Sequence, residues 1–182
     1  MPLLSNCRLV DGTALALQLG HRRSIDLDFF GAIDENAQTV FDELDTQFDV
    51  FLESQSKRIT VFKINGIKVD IVNYPFQWLE PQIETDGVRM AGLKDIAAMK
   101  LEAIVNRGTK KDFIDLFFLL QHFTMRQMLD FYLQKYPKGS VFNVIRSVVY
   151  FDDAEKYVMP DMLFPLKWDD AKEYIRNVVE KL

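Results

Sequence analysis

Two carboxylates alternate with apolar side chains in the run Ser24-Ile25-Asp26-Leu27-Asp28-Phe29. In an extended chain alternate residues share a face, so Asp26 and Asp28 project together while Ile25, Leu27 and Phe29 point the other way. Strand rise sets their Cα atoms about 6 to 7 Å apart, close enough for both side chains to converge on one hard divalent cation. A solvated polar face of an edge strand gives the same pattern, and an isolated D-x-D says little by itself. Asp70 repeats the theme, standing beside Lys68 opposite an apolar face made by Ile67, Val69 and Ile71. Aspartate is disfavoured in strands, so Asp70 is either an acid with a task or half of a surface pair with Lys68. Three aspartates acting together from two strands would form a two-metal phosphoryl-transfer site.

Asp11-Gly12-Thr13 stands directly before a short helical run. Glycine lets the backbone approach a ligand and the first amides of a helix face an anion, so the turn suits phosphate; it equally suits a plain N-cap by Asp11 or Thr13. Arg22, Arg23 and Ser24 either add cationic and hydroxyl contacts to phosphate oxygens or form a solvated turn. His21 has no partner visible in the sequence and reads as structural. Lys100 has Ile96, Ala97, Ala103 and Ile104 as its helical neighbours, so it either snorkels outward or reaches a negative partner in a cleft. Asp115, with Phe118 and Leu119 following and Asp112 one turn before, is the matching acid. An internal Lys100–Asp115 ion pair accounts for both without any substrate.

These residues need an α+β scaffold to carry them. Residues 8–10 read as a short strand, 13–19 as a helix stopped by Gly20, 25–30 as a strand and 36–48 as a helix, with another strand region opening at residue 50. Residues 58–64 and 67–72 flank Asn65-Gly66, whose positive φ angles make a type I′ turn, so they pair as an antiparallel hairpin. A further strand is expected within residues 83–90. After Gly92 the pattern turns to helices: 94–106, 110–121, 125–136, 141–150 and 169–182, with an irregular connection over 152–167 around Pro160 and Pro165. The expected division is an α+β core over residues 1–92 and a helical domain over 93–182.

Of the 182 residues 48% are hydrophobic and 27% charged, which excludes disorder and a collagenous chain. A net charge of −5 gives no global positive field to advertise nucleic acid. A local basic site is compatible with it. The single cysteine, Cys7, excludes an internal disulfide, and no leader pattern is visible at Met1-Pro2-Leu3-Leu4, so the cytoplasm is the expected compartment. No apolar run approaches the ~18 residues of a membrane span.

Two blocks carry a resemblance. The first runs from Asp11-Gly12-Thr13-Ala14-Leu15 to Arg23-Ser24-Ile25-Asp26-Leu27-Asp28-Phe29. The second runs from Asp95 through Lys100 and Arg107-Gly108 to Lys111-Asp112-Phe113-Ile114-Asp115-Leu116. In this order and spacing they resemble the AbiEii-type nucleotidyltransferase family, relatives of the MenA-like toxins of type IV toxin–antitoxin systems within the DNA polymerase β-like superfamily. The resemblance spans roughly residues 9–120. It implies a nucleotidyltransferase-like mixed sheet with flanking helices, followed by a C-terminal helical bundle.

By the same resemblance Asp26 and Asp28 bind Mg²⁺ or Mn²⁺, with Asp70 as the third carboxylate and acceptor of the attacking hydroxyl's proton. Gly12 and Thr13 face the nucleoside triphosphate, Arg23 and Ser24 assist, Lys100 meets phosphate, and Asp112 and Asp115 complete the last motif. The implied partners are an NTP, an RNA acceptor such as tRNA or a protein acceptor, and an antitoxin protein, with no membrane. Asp11 departs from the pattern, where the family has a first glycine. A carboxylate about 5 Å from a phosphate charge costs on the order of 3 kcal/mol at an effective dielectric near 20. The alternative is therefore a catalytically silent module that binds nucleotide or a protein partner. A third reading makes the aromatic C-terminal half an interface, against ordinary helical core packing.

Overall fold

A computed structural model describes residues 4–33 and 36–182; Met1, Pro2 and Leu3, part of the segment searched for a leader pattern, lie outside the described residues. The elements run β1 (Cys7–Leu9), α1 (Asp11–Leu19), β2 (Leu27–Gly31), α2 (Ala37–Asp45), β3 (Val50–Gln55), β4 (Ile59–Ile64) and β5 (Ile67–Asn73). Then follow β6 (Ile83–Thr85), β7 (Val88–Met90), α3 (Leu93–Asn106), α4 (Lys110–Leu119), α5 (Met125–Lys135), α6 (Val141–Val148) and α7 (Trp168–Val179). Among the described residues this is an α+β fold on a mixed sheet, in the order β3-β4-β5-β2-β1-β7-β6.

The local signals explain most of these boundaries. Gly20 ends α1 at φ 64, and Asn36 caps α2 by accepting from Thr39 N. Asn65 and Gly66 take φ 48 and 82, the two positive angles of the expected hairpin turn. Residues 83–90 differ from expectation: they form a second hairpin, β6–β7, because Asp86 and Gly87 take φ 52 and 76 and fold the stretch back on itself. The strand expected over 25–30 begins only at Leu27. Asp26 stays outside the ladder because its carbonyl accepts from Thr13 Oγ1, while Arg23 N and Leu163 N tie residues 21–23 to the later connection.

β2 and β5 pair in parallel with Asp28 opposite Asp70, Phe29 opposite Ile71 and Phe30 opposite Val72. One face of this part of the sheet carries Phe62, Val69 and Ile71, packed against Val40 and Leu44 of α2. Asp28, Phe30 and Asp70 belong to the other face. A larger apolar cluster joins Leu9, Val10, Ala14 and Leu15 to Ile96, Leu101, Phe113, Leu116 and the later helices. At its centre α3 is buried along most of its length, Lys100 included. In the C-terminal half Tyr132 and Phe151 are core residues, whereas Phe142 and Tyr150 are exposed. No helix among the described residues is long and apolar enough to cross a membrane.

Gly31 closes β2 where β1 crosses it. A Cβ there would stand 2.2 Å from the Asn6 carbonyl oxygen and 2.7 Å from Cys7 Cα, both backbone atoms that cannot swing aside. Gly31→Ala is expected to destabilise the fold by about 1–3 kcal/mol, read as a lowered urea midpoint at unchanged m.

Candidate active site

The strongest electrostatic feature is a buried ammonium. Lys100 Nζ lies 2.9 Å from Asp112 Oδ1 and 2.9 Å from Asp115 Oδ2 and donates a further hydrogen bond to Asp11 Oδ1. Its three N–H donors thus meet three carboxylates, and the side chain is 1% exposed. Burial alone would lower the Lys100 pKa, but Asp11, Asp115 and Asp112 raise it well above the usual lysine range. Asp11, Asp112 and Asp115 are the one group of three among the described residues whose ligand oxygens lie within 4.8 Å of one another, a spacing suited to a cation. The lysine ammonium supplies that cation.

Each aspartate of the cluster has further donors. Asp112 is the third residue of the α4 capping box, accepting from Thr109 N at 3.1 Å and Thr109 Oγ1 at 2.6 Å. Its Oδ1 also accepts from Arg107 Nη2 at 3.0 Å. Asp115 accepts from Arg22 Nε at 2.7 Å, Arg22 Nη2 at 2.9 Å and His21 Nε2 at 2.8 Å. Burial pushes both carboxyls up, yet Lys100 and these donors hold them well below the usual carboxylate range. The Lys100–Asp115 ion pair, weighed from the sequence as the alternative to a phosphate contact, is present, and His21 has the partner that its sequence context did not reveal.

Gly12 has a packing reason in this network. A Cβ on it would come within 2.2 Å of Arg22 Nη2, so only glycine lets the guanidinium pass to Asp115. Asp11 sits at φ 53, in the left-handed region, at the position where the family pattern has glycine. Aspartate tolerates this region at a cost of roughly 1 kcal/mol. Its carboxylate bonds Lys100 and, at 2.7 Å, Arg107 Nη2, so its charge is matched by two cations rather than left to face a phosphate. Burial raises the Asp11 pKa less than Lys100 and Arg107 lower it.

The second acidic group is poorer in cations. Asp28 and Asp70 stand side by side across β2 and β5. Asp70 Oδ2 accepts from Lys68 Nζ at 2.6 Å, while Asp70 Oδ1 is buried with no hydrogen-bond partner. Burial, and then the neighbouring Asp11 and Asp70 carboxylates, push the Asp28 pKa up to about 6. Asp26 lies on the approach to β2, half-exposed, with its carboxylate 3.6 Å from Lys111 Nζ. Lys68 feels the charges of all three acids, yet Asp26 does not crowd against Asp28 and Asp70 as the strand pattern implied. Thr13 is buried; it donates to the Asp26 carbonyl and accepts from Ser24 Oγ at 2.9 Å, and so holds the loop that carries Asp26. Arg23 is exposed and 3.5 Å from Asp161, whereas its neighbour Arg22 is the buried one.

Beside the Asp28 face, a cleft of about 330 Å³ is lined by Asp11, Phe30, Tyr74, Met99, Arg107 and Tyr136, among others. Its aromatic walls suit a flat ring, and its charged lining residues are Asp11, Glu102 and Arg107. The Lys68–Asp70 pair weighed from the sequence is present, whereas Arg107, Lys111 and the pair Asp95–Lys135 escaped the sequence reading of the site. Arg107 and Lys111 lie inside the second family block, which was the available signal. Lys135 bonds Asp95 at 2.6 Å with both side chains fully buried, a pairing across 40 positions that no local pattern marks.

Replacing Lys100 by Met is expected to cost about 3–5 kcal/mol by stranding three partly or wholly buried carboxylates, measured by urea unfolding. For Asp28 the sign is opposite. Its folded-state pKa of about 6 exceeds the ordinary value of 3.8, so the fold binds the extra proton in that interval and loses stability as pH rises through it. Without divalent cations, Asp28→Asn is expected to be more stable than the natural chain at pH 7 by up to about 3 kcal/mol. Below pH 4 the advantage should vanish in paired thermal melts.

Comparisons with known proteins agree with this architecture. A relative in Aquifex aeolicus (strain VF5), described as an uncharacterized protein, is 34% identical over 179 residues, covering 95% of this chain and 86% of the relative. Among solved structures, JHP933 from Helicobacter pylori superposes with a TM-score of 0.60 at 17% identity, over 98% of this chain and 84% of that one. MenT4, a nucleotidyltransferase toxin from Mycobacterium tuberculosis H37Rv, does so with a TM-score of 0.60 at 15% identity, over 96% and 76%. These two establish likeness of fold. The family described as nucleotidyl transferase AbiEii toxin, type IV TA system, matches residues 6–173, nearly the whole chain, and the protein belongs to that family.

Proposed function

We propose that the chain is a divalent-metal-dependent nucleotidyltransferase that transfers a nucleoside monophosphate from an NTP to a hydroxyl of an RNA or protein acceptor, as the toxin of a type IV toxin–antitoxin pair. The observation that carries this reading is the Asp28–Asp70 pair. Two carboxylates are held side by side, one with a buried oxygen lacking any donor and the other pushed toward protonation by its neighbours. Such a pair fits a hard cation, and an all-oxygen donor set favours Mg²⁺ or Mn²⁺. Asp28 and Asp70 are the residues that would hold it, and Asp26, which stands apart from them beside Lys111, would join only through a swing of its half-exposed side chain. Bound there, the metal would orient the α-phosphate and offset charge on the departing pyrophosphate.

The chain's own groups supply the rest. The aromatic cleft takes the base and ribose, and Arg107 and Lys111, each about half exposed, face the phosphates. The acceptor oxygen attacks the α-phosphorus, the bond to the bridging oxygen of the β-phosphate breaks, and pyrophosphate leaves with that electron pair. Asp70 takes the acceptor's proton. Lys100, with its donors spent on aspartates, acts as a positioning residue: it fixes Asp11, α3 and α4 around the cleft without touching substrate. Thr13 and Ser24 hold the Asp26 loop.

The silent-module alternative stood on repulsion between Asp11 and a triphosphate. Lys100 and Arg107 neutralise Asp11, which favours the enzymatic reading.

The test is transfer of label from α-labelled NTPs to total RNA and total protein in the presence of Mg²⁺ or Mn²⁺. Asp28→Asn and Asp70→Asn are each expected to lower transfer by at least about 10²-fold, and chelation to abolish it. Asp26→Ala should lower it too; labelling equal to the natural chain's would remove Asp26 from the metal site.

A further inference from the structure

The face of the sheet that carries Asp28 and Asp70 continues across β5, β4 and β3, and there it is open to solvent. Register pairs place Phe51, Lys63 and Lys68 in one row across the three strands and Ser54, Val61 and Asp70 in the next, ending at Asp28. Phe51 is 65% exposed and Ile59 43%, although both are large apolar side chains on an otherwise well-packed sheet. The opposite face is the one that buries Phe62, Val69 and Ile71 against α2. The exposed row is therefore not an unfinished core.

Charge gives the second observation. Residues 54–69 contain four basic residues and no acidic one within a chain whose net charge is −5; Lys63 and Lys68 stand on the open face, while Lys57 and Arg58, between β3 and β4, border a pocket against α2. On the three strands themselves the acids are Glu53 and Asp70, and Glu53 stands at the bulge between Leu52 and Ser54, outside the paired rows. A basic row with a protruding aromatic ring beside an acidic reaction centre fits a single-stranded polynucleotide: bases stack on the ring and lysines track the phosphates. Strand spacing puts Phe51 about 14 Å across the sheet from the Asp28 position, a span that a few nucleotides bridge.

Resting on the transfer reading of Asp28 and Asp70, we propose that the open face of β3, β4 and β5 docks the single-stranded end of a nucleic-acid acceptor, with Phe51 and Lys63 as its anchors. Phe51 stacks a base, Lys63 meets a phosphate, and the terminal hydroxyl reaches Asp70. Lys68, already bonded to Asp70, marks the border between the docking row and the reaction centre.

The experiment is fluorescence anisotropy of the full chain with labelled 12-nucleotide single-stranded RNA and DNA of one sequence, in EDTA and without NTP. Binding then does not depend on the metal site. In parallel, thermal melts with NTP and Mg²⁺ follow the nucleotide cleft. Phe51→Ala and Lys63→Ala are expected each to weaken oligonucleotide binding about tenfold, and Lys63→Ala to reduce the salt slope by about one. Both exposed variants should keep the natural chain's NTP-induced shift in Tm. Asp28→Asn is expected to bind the oligonucleotide normally while failing in transfer. Binding that depends on Phe51 and Lys63 without any NTP-induced shift would support the docking face and overturn the transferase reading alone. The proposal is overturned if neither oligonucleotide binds, or if both variants bind as the natural chain does. Loss of label transfer to protein in these variants, with no oligonucleotide bound, would assign the face to a protein acceptor and equally overturn it.

Discussion

A lysine ammonium enclosed by three carboxylates sets the terms for the centre of this protein. Taking Lys100 out of water on a helix flanked by apolar side chains is costly unless each donor finds an acceptor with good geometry. The acceptors come from three places in the chain: Asp11 at the start of α1, and Asp112 and Asp115 on α4. Meeting that demand pins α1, α3 and α4 to one another. Other local features then follow as conditions of the same arrangement. Gly12 is needed so that Arg22 can reach Asp115, the Thr109 cap orients Asp112, and Asp11 accepts a left-handed backbone to keep its place.

The protein thus handles its acids in two ways. One set is saturated by its own lysine and arginines and is held ionised far below the usual range. The other, on β2 and β5, is crowded with like charges and only partly supplied with donors, and at Asp28 protonation competes with ionisation near pH 6. The first arrangement rigidifies, and the second remains able to respond to an added cation. Their proximity matters, since the Asp11 charge contributes to the rise at Asp28 and ties the two sets electrostatically.

Legibility in the sequence followed distance along the chain. Asn65-Gly66 specified its hairpin because the turn chemistry is contained in two residues. Asp86-Gly87 carried an equal signal within a stretch read as one strand, and its short flanking arms hid it. The helical faces of Lys100 and Asp115 identified two buried charges and their pairing. Asp11, which completes the cluster, is 89 positions from Lys100 and shares no pattern with it, whereas Arg107, seven positions on, lies two turns along the same face of α3 and was within reach of the helical periodicity. The D-x-D run was read as one strand face, but a tertiary hydrogen bond from Thr13 claims the Asp26 carbonyl and the strand starts two residues later than expected. Local patterns foretold elements and charged faces; long-range bonds decided where those faces stopped.

The in-register pairing of β2 with β5 has a consequence beyond the residues at its middle. Side-chain direction alternates at every position, so sliding one strand past the other by a single residue would send one carboxylate of the Asp28–Asp70 couple through to the α2 side. What forbids the slide is the greasy underside, where Phe62, Val69 and Ile71 interlock with Val40 and Leu44. That underside works as a gauge for the chemistry above it, and damage to α2 would misalign the acids without altering any atom that faces them.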